Sequence, residues 1–323
     1  MKNSRKTALL LTSGVTAPTI SQQFITDSAV VVNPQTDDDN YKVLTGSLGG
    51  GNVTYTDANK VTLNQSLSHI MIASNPDGTS LATPPQYGEA LKICGFTETI
   101  DTATAGQETV TYTNTQSPAK GSVTVYQDGH KFSATNSVVG SLTIDGQAGR
   151  KMTMGVALQG YYDNAGIPVV EATPTLPTKD NTSQVGFTTV DLVTFDGTAV
   201  TADAFRINMN PEIGNTYATG TKEFNIDDYS PTIEVDFFTT NANYLTAFND
   251  RADKTVKEII IQTNKDASGN MVSGKSIQIK ASRASVAGIN DGDTDNKIKR
   301  TLTFNLGLDG SQMALEIKQG YFA

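Results

Sequence analysis

The chain has 323 residues, of which 37% are apolar and 18% charged, so it can form two ordinary domains or one large β domain and is not a disordered polyelectrolyte. Its 24 basic and 33 acidic residues give a net charge of −9, the opposite sign to that of a protein that grips nucleic acid. The single cysteine excludes an intrachain disulfide, and no stretch approaches the roughly 18 apolar residues of a membrane span.

The amino terminus predicts a β-strand. Residues 1–14, MKNSRKTALLLTSG, place three basic residues before four consecutive apolar ones. A secretory signal needs an apolar stretch of about 7–15 residues, so we favour a strand over a signal peptide. Residues 46–51 contain four glycines and lack the Lys-Ser/Thr of a phosphate-binding loop, so we expect an exposed loop there.

A short α-helix is predicted in PPQYGEALKICGFTETI, residues 84–100. The Thr-Pro-Pro at 83–85 suits a helix cap and first turn, and Gly95 follows as a C′ residue would. We expect one face of this helix to pack on a sheet, which would leave Cys94 as a buried, inert thiol. The apolar stripe at i, i+3, i+4 and i+7 consists of Tyr87, Ala90, Leu91 and Cys94.

Alternating apolar residues predict two hairpins in the middle of the chain. In SVTVYQDGHKFSA, residues 122–134, the Asp128-Gly129 dipeptide between alternating runs is a strong hairpin signal. In SLTIDGQAGRKMTMGVAL, residues 141–158, we expect a strand, a turn at Asp145-Gly146 and a longer strand. The predicted core residues, methionines included, are Val123, Val125, Phe132, Leu142, Ile144, Met152, Met154, Val156 and Leu158.

The second half shows the same alternation of apolar residues, which again predicts hairpins. Three prolines at 168, 174 and 177 favour an extended connection, so we place a boundary near residue 180 and predict domains 1–180 and 181–323. EFNIDDYSPTIEVDFF has the same strand, turn and longer strand as SLTIDGQAGRKMTMGV, which indicates an internal duplication. A second helix is predicted in NANYLTAFNDRADK, and an exposed hairpin tip at 265–275. The fold class is therefore mainly β, with two tandem domains that each carry a short flanking helix.

No catalytic, cofactor-binding or metal-ligating set is predicted. His69 in a strand and His130 after a turn have no metal-spaced partner, and no nucleophile motif such as G-x-S-x-G is present. DGDTDN, residues 291–296, resembles the start of a calcium loop, but Asn296 and Leu302 occupy the positions that require Gly and Glu. We favour a solvated turn there, and we predict that the chain is not an enzyme and uses no cofactor or metal.

Five segments form an ordered series, among them VTYTNTQ (110–116), a Tyr-Thr strand that follows the helix segment. RKTALLLTSG (5–14) gives an opening basic-then-aliphatic strand, and AVVVNPQTDD (29–38) a short strand after it. TPPQYGEALKICGFTETI (83–100) combines a Pro-Tyr-Gly entry, a helix and Cys-Gly-Phe, and residues 122–162 give a hairpin series ending in Gly-Tyr. This series resembles the tail tube (major tail) proteins of long-tailed bacteriophages and prophages. The resemblance covers nearly the whole chain, and it is specific before residue 178 and looser afterwards, through FRINMNPEIGN, NDRADK and TLTFNLGL.

The resemblance implies a fold and a role. Each domain would be a β-sandwich flanked by a helix, and sheets of neighbouring subunits would join into stacked rings that form the tail tube. The implied partners are further copies of the chain, the tape measure protein inside the tube, tail terminator and initiator proteins, and DNA that passes through the lumen without specific binding. The implied location is the virion tail, after assembly in the bacterial host cytoplasm and without a membrane.

The duplication bears on the size of the ring. With two tube-like domains in one chain, three copies would form a pseudo-hexameric ring, whereas a single domain per chain would require six. The loops at 46–51 and 265–275 are candidate ring-to-ring contacts. Lys92 and Ile93 depart from the family, which often carries Arg there, and the region before Thr83 is longer and richer in Gly and Asn than usual.

Three alternatives remain open. A bacterial surface or adhesin β-sandwich would suit the Thr/Asn-rich, acidic composition, although the chain shows no signal peptide and has a helix in each half. A β-rich hydrolase or lectin would need a convergent His, Glu or Asp set that the sequence does not show. Another tail part, such as a terminator, a baseplate hub or a contractile-tail inner tube, would share the sandwich.

Overall fold

The structure is mainly β, as predicted, with two α-helices among the residues described. Every statement below concerns the described part of the chain in a computed structural model. These residues are 7–27, 30, 32, 38–42, 52–56, 62–71, 84–102, 108–115, 117–163, 168–172, 174–175, 184–188, 191–218, 221–238, 241–272, 275–294, 297–310 and 312–320.

The first half begins with the predicted strand, whose Leu9, Leu10 and Leu11 are buried. A single 3₁₀ turn, Ile20–Gln22, follows that strand. The other elements are β1 (Thr7–Ser13), β2 (Asp38–Lys42), β3 (Asn52–Thr56), β4 (Thr62–Ile70), α1 (Tyr87–Ile93), β5 (Phe96–Asp101), β6 (Thr109–Asn114), β7 (Gly121–Gln127), β8 (His130–Gln147), β9 (Arg150–Lys151), β10 (Thr153–Tyr161) and β11 (Val169–Val170).

The second half has the predicted second helix and thirteen strands among the described residues. Its elements are β12 (Gly186–Phe187), β13 (Leu192–Phe195), β14 (Thr198–Val200), β15 (Ala202–Asn208), β16 (Pro211–Ala218), β17 (Thr221–Tyr229), β18 (Thr232–Phe238), α2 (Asn241–Ala252), β19 (Val256–Thr263), β20 (Ser276–Thr294), β21 (Lys297–Leu306), β22 (Leu308–Asp309), β23 (Gln312–Met313) and β24 (Leu315–Gly320).

A continuous run of antiparallel strands crosses from the first half to the second. Its order is β4-β10-β8-β15-β18-β21-β20, and the step from β8 to β15 joins the two halves. A second junction pairs β24 with β6, next to the β5–β6 hairpin. Strands of both halves therefore belong to one hydrogen-bonded sheet.

The strand pairing of the first half recurs in the second. In the first half the pairing order is β1-β7-β8-β10-β4. In the second half it is β13-β19-β20-β21-β18, and β4 and β18 are each the strand that precedes the helix of their half. A short final strand pairs with the beginning of each long strand. In chain order, β1, β4, α1, β7, β8, β10 and β11 correspond to β13, β18, α2, β19, β20, β21 and β24.

The two long strands, β8 and β20, even share their irregularities. Along β8 the ladder shifts between Ala134 and Ser137 and again between Val139 and Ser141. Along β20 it shifts between positions 281 and 284 and between 286 and 288. Residue n of β8 thus corresponds to residue n + 147 of β20. Bulges bend a strand, so both long strands can carry the sheet around one side of the core.

One hydrophobic cluster extends through both halves. It includes Leu11 and Met154 from the first half and Ile233 and Phe304 from the second, all nearly fully buried. The predicted boundary at residue 180 lies in 176–183, outside the described residues. The division into domains 1–180 and 181–323 stays a prediction, and the described core does not separate into two at that point.

The helix at 84–100 forms as the stripe predicted, over Tyr87–Ile93. Tyr87, Ala90, Leu91 and Cys94 are completely buried. Gly95 has a φ of +93° and its N–H donates to the carbonyl of Lys92, which is the C′ geometry that glycine favours. Gln86 occupies the N-cap position without a side-chain cap, and the predicted cap Thr83 lies outside the described residues.

The predicted turn at Asp145-Gly146 is wrong. β8 continues through both residues to Gln147, and the chain turns at Ala148-Gly149 instead, where Gly149 has a φ of +76°. Gly146 is needed for another reason, because a Cβ at this position would lie 2.3 Å from Cε1 of Phe205 in β15. The glycine therefore admits an aromatic ring of the second half.

The sequence alignment behind the predicted duplication is also wrong in detail. The segment EFNIDDYSPTIEVDFF forms β17 and β18 around a turn, but β17 pairs with β16 and β18 pairs with β15 and β21. The hairpin that corresponds to β8–β10 is β20–β21. The similarity between the two sequence segments was misleading, because any two alternating strands joined by a turn share that pattern.

Candidate assembly surface

The junction of the two halves is built by β8 and β15. Ala204 to Asn208 pair antiparallel with Gln147 to Thr143. The ladder is extended at both ends, since the N–H of Met209 donates to the carbonyl of Leu142 at 2.9 Å and the N–H of Ala148 donates to that of Asp203 at 2.8 Å. Because alternate residues of a strand direct their backbone polar groups to the same side, the even-numbered residues of this part of β8 face β15.

Aromatic packing reinforces the junction. The ring of Phe205 lies over Gly146 and meets Phe187 edge to face, with centroids 5.1 Å apart. Such a pair adds about 0.5–1.5 kcal/mol beyond its buried area. The ion pair between Arg206 Nε and Asp145 Oδ1, at 2.5 Å, is half-exposed and contributes less.

The segment ahead of β13 covers the tip of the β8–β10 hairpin. The N–H of Met152 donates to the carbonyl of Val185 and that of Gly149 to the carbonyl of Phe187, both at 2.8 Å. Met152, whose carbonyl also accepts a hydrogen bond from the N–H of Met71, is completely buried. The second half therefore pairs with the edge of β8 and covers the inner face of the β8–β10 hairpin tip.

The corresponding part of the second half has no such completion. Beyond Ser285, β20 pairs only with β21 among the described strands, whereas the matching part of β8 has β10 on one side and β15 on the other. Ile298, which corresponds to Met152, is 51% exposed. We call Ile289 to Gly292 of β20 together with Ile298 of β21 the open junction.

An ion pair between a buried arginine and a partly exposed carboxylate lies at the open junction. Arg300 is completely buried, and its Nε and Nη2 donate to Oδ1 and Oδ2 of Asp291 at 2.6 and 2.8 Å. The guanidinium also lies 5.1 Å from the ring centre of Phe248 in α2. These hydrogen bonds lower the pKa of Asp291. The matching pair in the first half is apolar, Met154 opposite Ile144.

Asp291 therefore belongs to a strand and not to the solvated turn predicted for DGDTDN. Its two carboxylate oxygens are already held by Arg300. No group of three or more His, Cys, Asp or Glu residues that could hold a metal ion is found among the residues the structure describes. Residues 295–296 lie outside that part.

The two histidines lie in strands as predicted, and the cysteine caps the carboxyl end of α1 on its buried face. His69 in β4 is buried against the ring of Phe24, and burial lowers its pKa to about 4. His130 opens β8 after a turn in which Asp128 and Gly129 both have positive φ. Cys94 is buried, and burial raises the pKa of its thiol.

The predicted contact loops are only partly described. Residues 265–272 and 275 connect β19 to β20 as the exposed tip that was predicted, with an isolated bridge between Lys265 and Met271. Asp266 accepts hydrogen bonds from the N–H groups of Ser268 and Asn270, which lower its pKa. The loop at 46–51 lies outside the described residues. None of the described helices is both long and apolar enough to span a membrane.

Comparison with known proteins adds no relative. A scan against protein-family models gives no match, and a search of curated proteins gives none either. The resemblance to tail tube proteins therefore stays a prediction from the sequence.

Sequence reasoning missed the open junction. Period-two alternation identifies strands but not their neighbours, so it could not show which edge stays unpaired. One signal was available. The sequence repeats a short pattern, since Asn33-Pro34 follows Val30 and Val32 just as Asn210-Pro211 follows Ile207 and Met209.

Proposed function

We propose that the chain is a structural subunit that polymerises into a tail tube of the long-tailed bacteriophage type. Stacked rings would form a conduit that encloses the tape measure protein and then passes DNA. The tube would be part of the virion tail and would assemble in the bacterial host cytoplasm, with terminator and initiator proteins at its ends.

One observation carries this proposal. The chain contains two halves with the same strand topology, joined by the antiparallel pairing of β8 with β15. A joint of this kind between equivalent repeats can recur between chains, and a head-to-tail contact closes into a ring when its rotation divides a full turn evenly. The ordered sequence segments that resemble tail tube proteins support the same conclusion, as does the buried helix stripe at the centre of the most specific one.

The charge balance is compatible with the proposed conduit. A net charge of −9 disfavours tight binding of phosphate backbones, and DNA must move through a tail without being held. Six repeats per ring, supplied by three chains, is the stoichiometry that the repeated topology favours.

Negative-stain electron microscopy across a concentration series tests the function. We expect hollow tubes or rings of uniform bore, with six similar lobes in end-on views and a mass of three chains per ring by native mass spectrometry. Solid fibres, or rings without a bore, would contradict a conduit. Monodisperse monomers at every concentration, with or without a tape measure fragment as a nucleus, would contradict the tube altogether.

A further inference from the structure

We propose that the open junction of β20 and β21 binds a second copy of this chain head to tail, with the geometry that joins β8 to β15 inside one chain. This inference deepens the proposed function and rests on it for the premise that the chain self-assembles. It adds the edge, the direction and the register of the contact, which the sequence resemblance does not supply.

The backbone of β20 has the right orientation to accept a strand. Even-numbered residues of β8 from Leu142 to Gly146 face β15, as the bonds to Met209 and Asp203 show. By the offset of 147, Ile289 and Asp291 direct their backbone groups away from β21. An unpaired row of N–H and C=O groups is a template for pairing with another chain.

The incoming strand is identified by its place in the repeat. β15 lies between β13 and β18 in the chain, so its counterpart lies between β1 and β4. Val30 is buried in the hydrophobic cluster and Val32 packs against it, as Ile207 and Met209 do in β15. The N–H of Asp27 donates to the carbonyl of Ser68, and the matching residues of the second repeat, Ala204 and Asp236, are paired. Val32 therefore corresponds to Met209, so that Val32 of the second copy comes opposite Ile289, as Met209 lies opposite Leu142.

Ile298 provides a second, independent indication. It belongs to the inward-facing series of β21 that continues through Arg300, Leu302 and Phe304, all of them buried. Ile298 is 51% exposed because no described residue covers it. Its counterpart Met152 is completely buried and is bonded to Val185 of the other half as well as to Met71 of its own. The same surface is thus covered in the first repeat and left uncovered by the described residues in the second.

A second copy is the occupant that matches these observations. The open edge of β20 is the equivalent of the β8 edge, which this chain covers with β15 of its own second repeat. Each copy has both an open β20 edge and a first repeat that could cover the edge of another copy. A contact between two different surfaces of the same molecule is directional, and it continues the run β4-β10-β8-β15-β18-β21-β20 into β4 of the next copy.

The first test is Ile298→Lys, compared with Ile100→Lys as a matched control. Ile100 is 40% exposed on β5, which is separated from β20 by β6 and β24. Both changes affect exposed side chains, so we expect melting temperatures close to that of the unmodified chain. Sedimentation velocity should show concentration-dependent association of the unmodified chain and of Ile100→Lys. For Ile298→Lys we expect an association constant lower by about tenfold or more, because a charge would have to be buried.

The second test is covalent and checks the register. Val32→Cys combined with Ile289→Cys places two thiols opposite each other across the proposed contact, at the roughly 5.5 Å Cα separation of a hydrogen-bonded antiparallel pair, which a disulfide can span. On mild oxidation we expect a ladder of linked dimers and trimers in non-reducing gels. Either single substitution should give none, and the native Cys94 is completely buried.

The outcomes separate the two proposals. Tubes that form with Ile298→Lys as readily as with the unmodified chain, and without the disulfide ladder, would overturn the contact and leave the tube function standing. A ladder and weakened association in a protein that never forms tubes would support the contact and contradict the tube function. An unmodified chain that stays monomeric up to millimolar concentration would overturn both.

Discussion

The ion pair between the buried Arg300 and the partly exposed Asp291 can be replaced by the apolar pair that the first half uses at the same place. Asp291→Ile removes the carboxylate, Arg300→Met removes the guanidinium, and the double variant reproduces the Ile144–Met154 pair of β8 and β10. Because the two halves share this register, the apolar pair has a shape that the same strand geometry already accommodates.

The structure sets the size of each effect. Arg300 is completely buried and its carboxylate bonds are 2.6 and 2.8 Å long, so Asp291→Ile should cost about 3 kcal/mol of unfolding free energy. The Asp291 side chain is 29% exposed and can be hydrated, so Arg300→Met should cost about 1–2 kcal/mol. Replacing both should bring stability back to within about 1 kcal/mol of the unmodified chain, because apolar replacement of a buried pair is often neutral or better.

Urea unfolding of dilute, monomeric protein, followed by circular dichroism, measures the three free energies, with Asp309→Ile as an exposed-carboxylate control expected to change little. If the costs of the two single variants simply add in the double variant, the pair is not coupled and the reasoning is refuted. The pH dependence gives a second check. The pKa of Asp291 is lowered in the folded state, so its contribution is complete above the unfolded-state pKa near 3.9 and is lost as the pH falls through the lower folded value. The double variant should lack that loss.

Three further outcomes are expected. Gly146→Val should lower the free energy of unfolding by about 2 kcal/mol in urea, because its side chain would overlap the Phe205 ring. The same change should have a smaller effect in a Phe205→Ala background, and a neutral Gly146→Val would contradict the packing described at the junction. The pKa of His69 is lowered to about 4 by burial, so the chain should lose up to about 3 kcal/mol as the pH falls from 6.5 to 4. His69→Phe, which copies Phe237 of the second repeat, should flatten that part of the stability profile, and an unchanged profile would exclude His69 as its cause. Cys94 should react with a thiol reagent only in denaturant, because it is fully buried and its pKa is raised; rapid labelling of the native protein would contradict this.

The sequence by itself determined the features that depend on short-range backbone chemistry. The Asp128-Gly129 turn needs two residues that tolerate positive φ, and both adopt it. The stripe from Tyr87 to Cys94 forms one face of a helix whatever lies beneath it, and Gly95 ends that helix. Alternation likewise predicted the strands that carry the core.

Only the tertiary structure decided which strands are neighbours. Asp145-Gly146 has the composition of a turn, yet it lies inside β8 because Phe205, about sixty residues away, packs where a side chain would be. Ile298 looks like any other inward-facing residue of an alternating strand, and only the pairing of β20 shows that it is uncovered. The physical reason is that adjacent residues determine only part of what stabilises a strand. Its alternation is encoded in adjacent residues, while its hydrogen-bond partners and the cover over its apolar face come from distant parts of the chain.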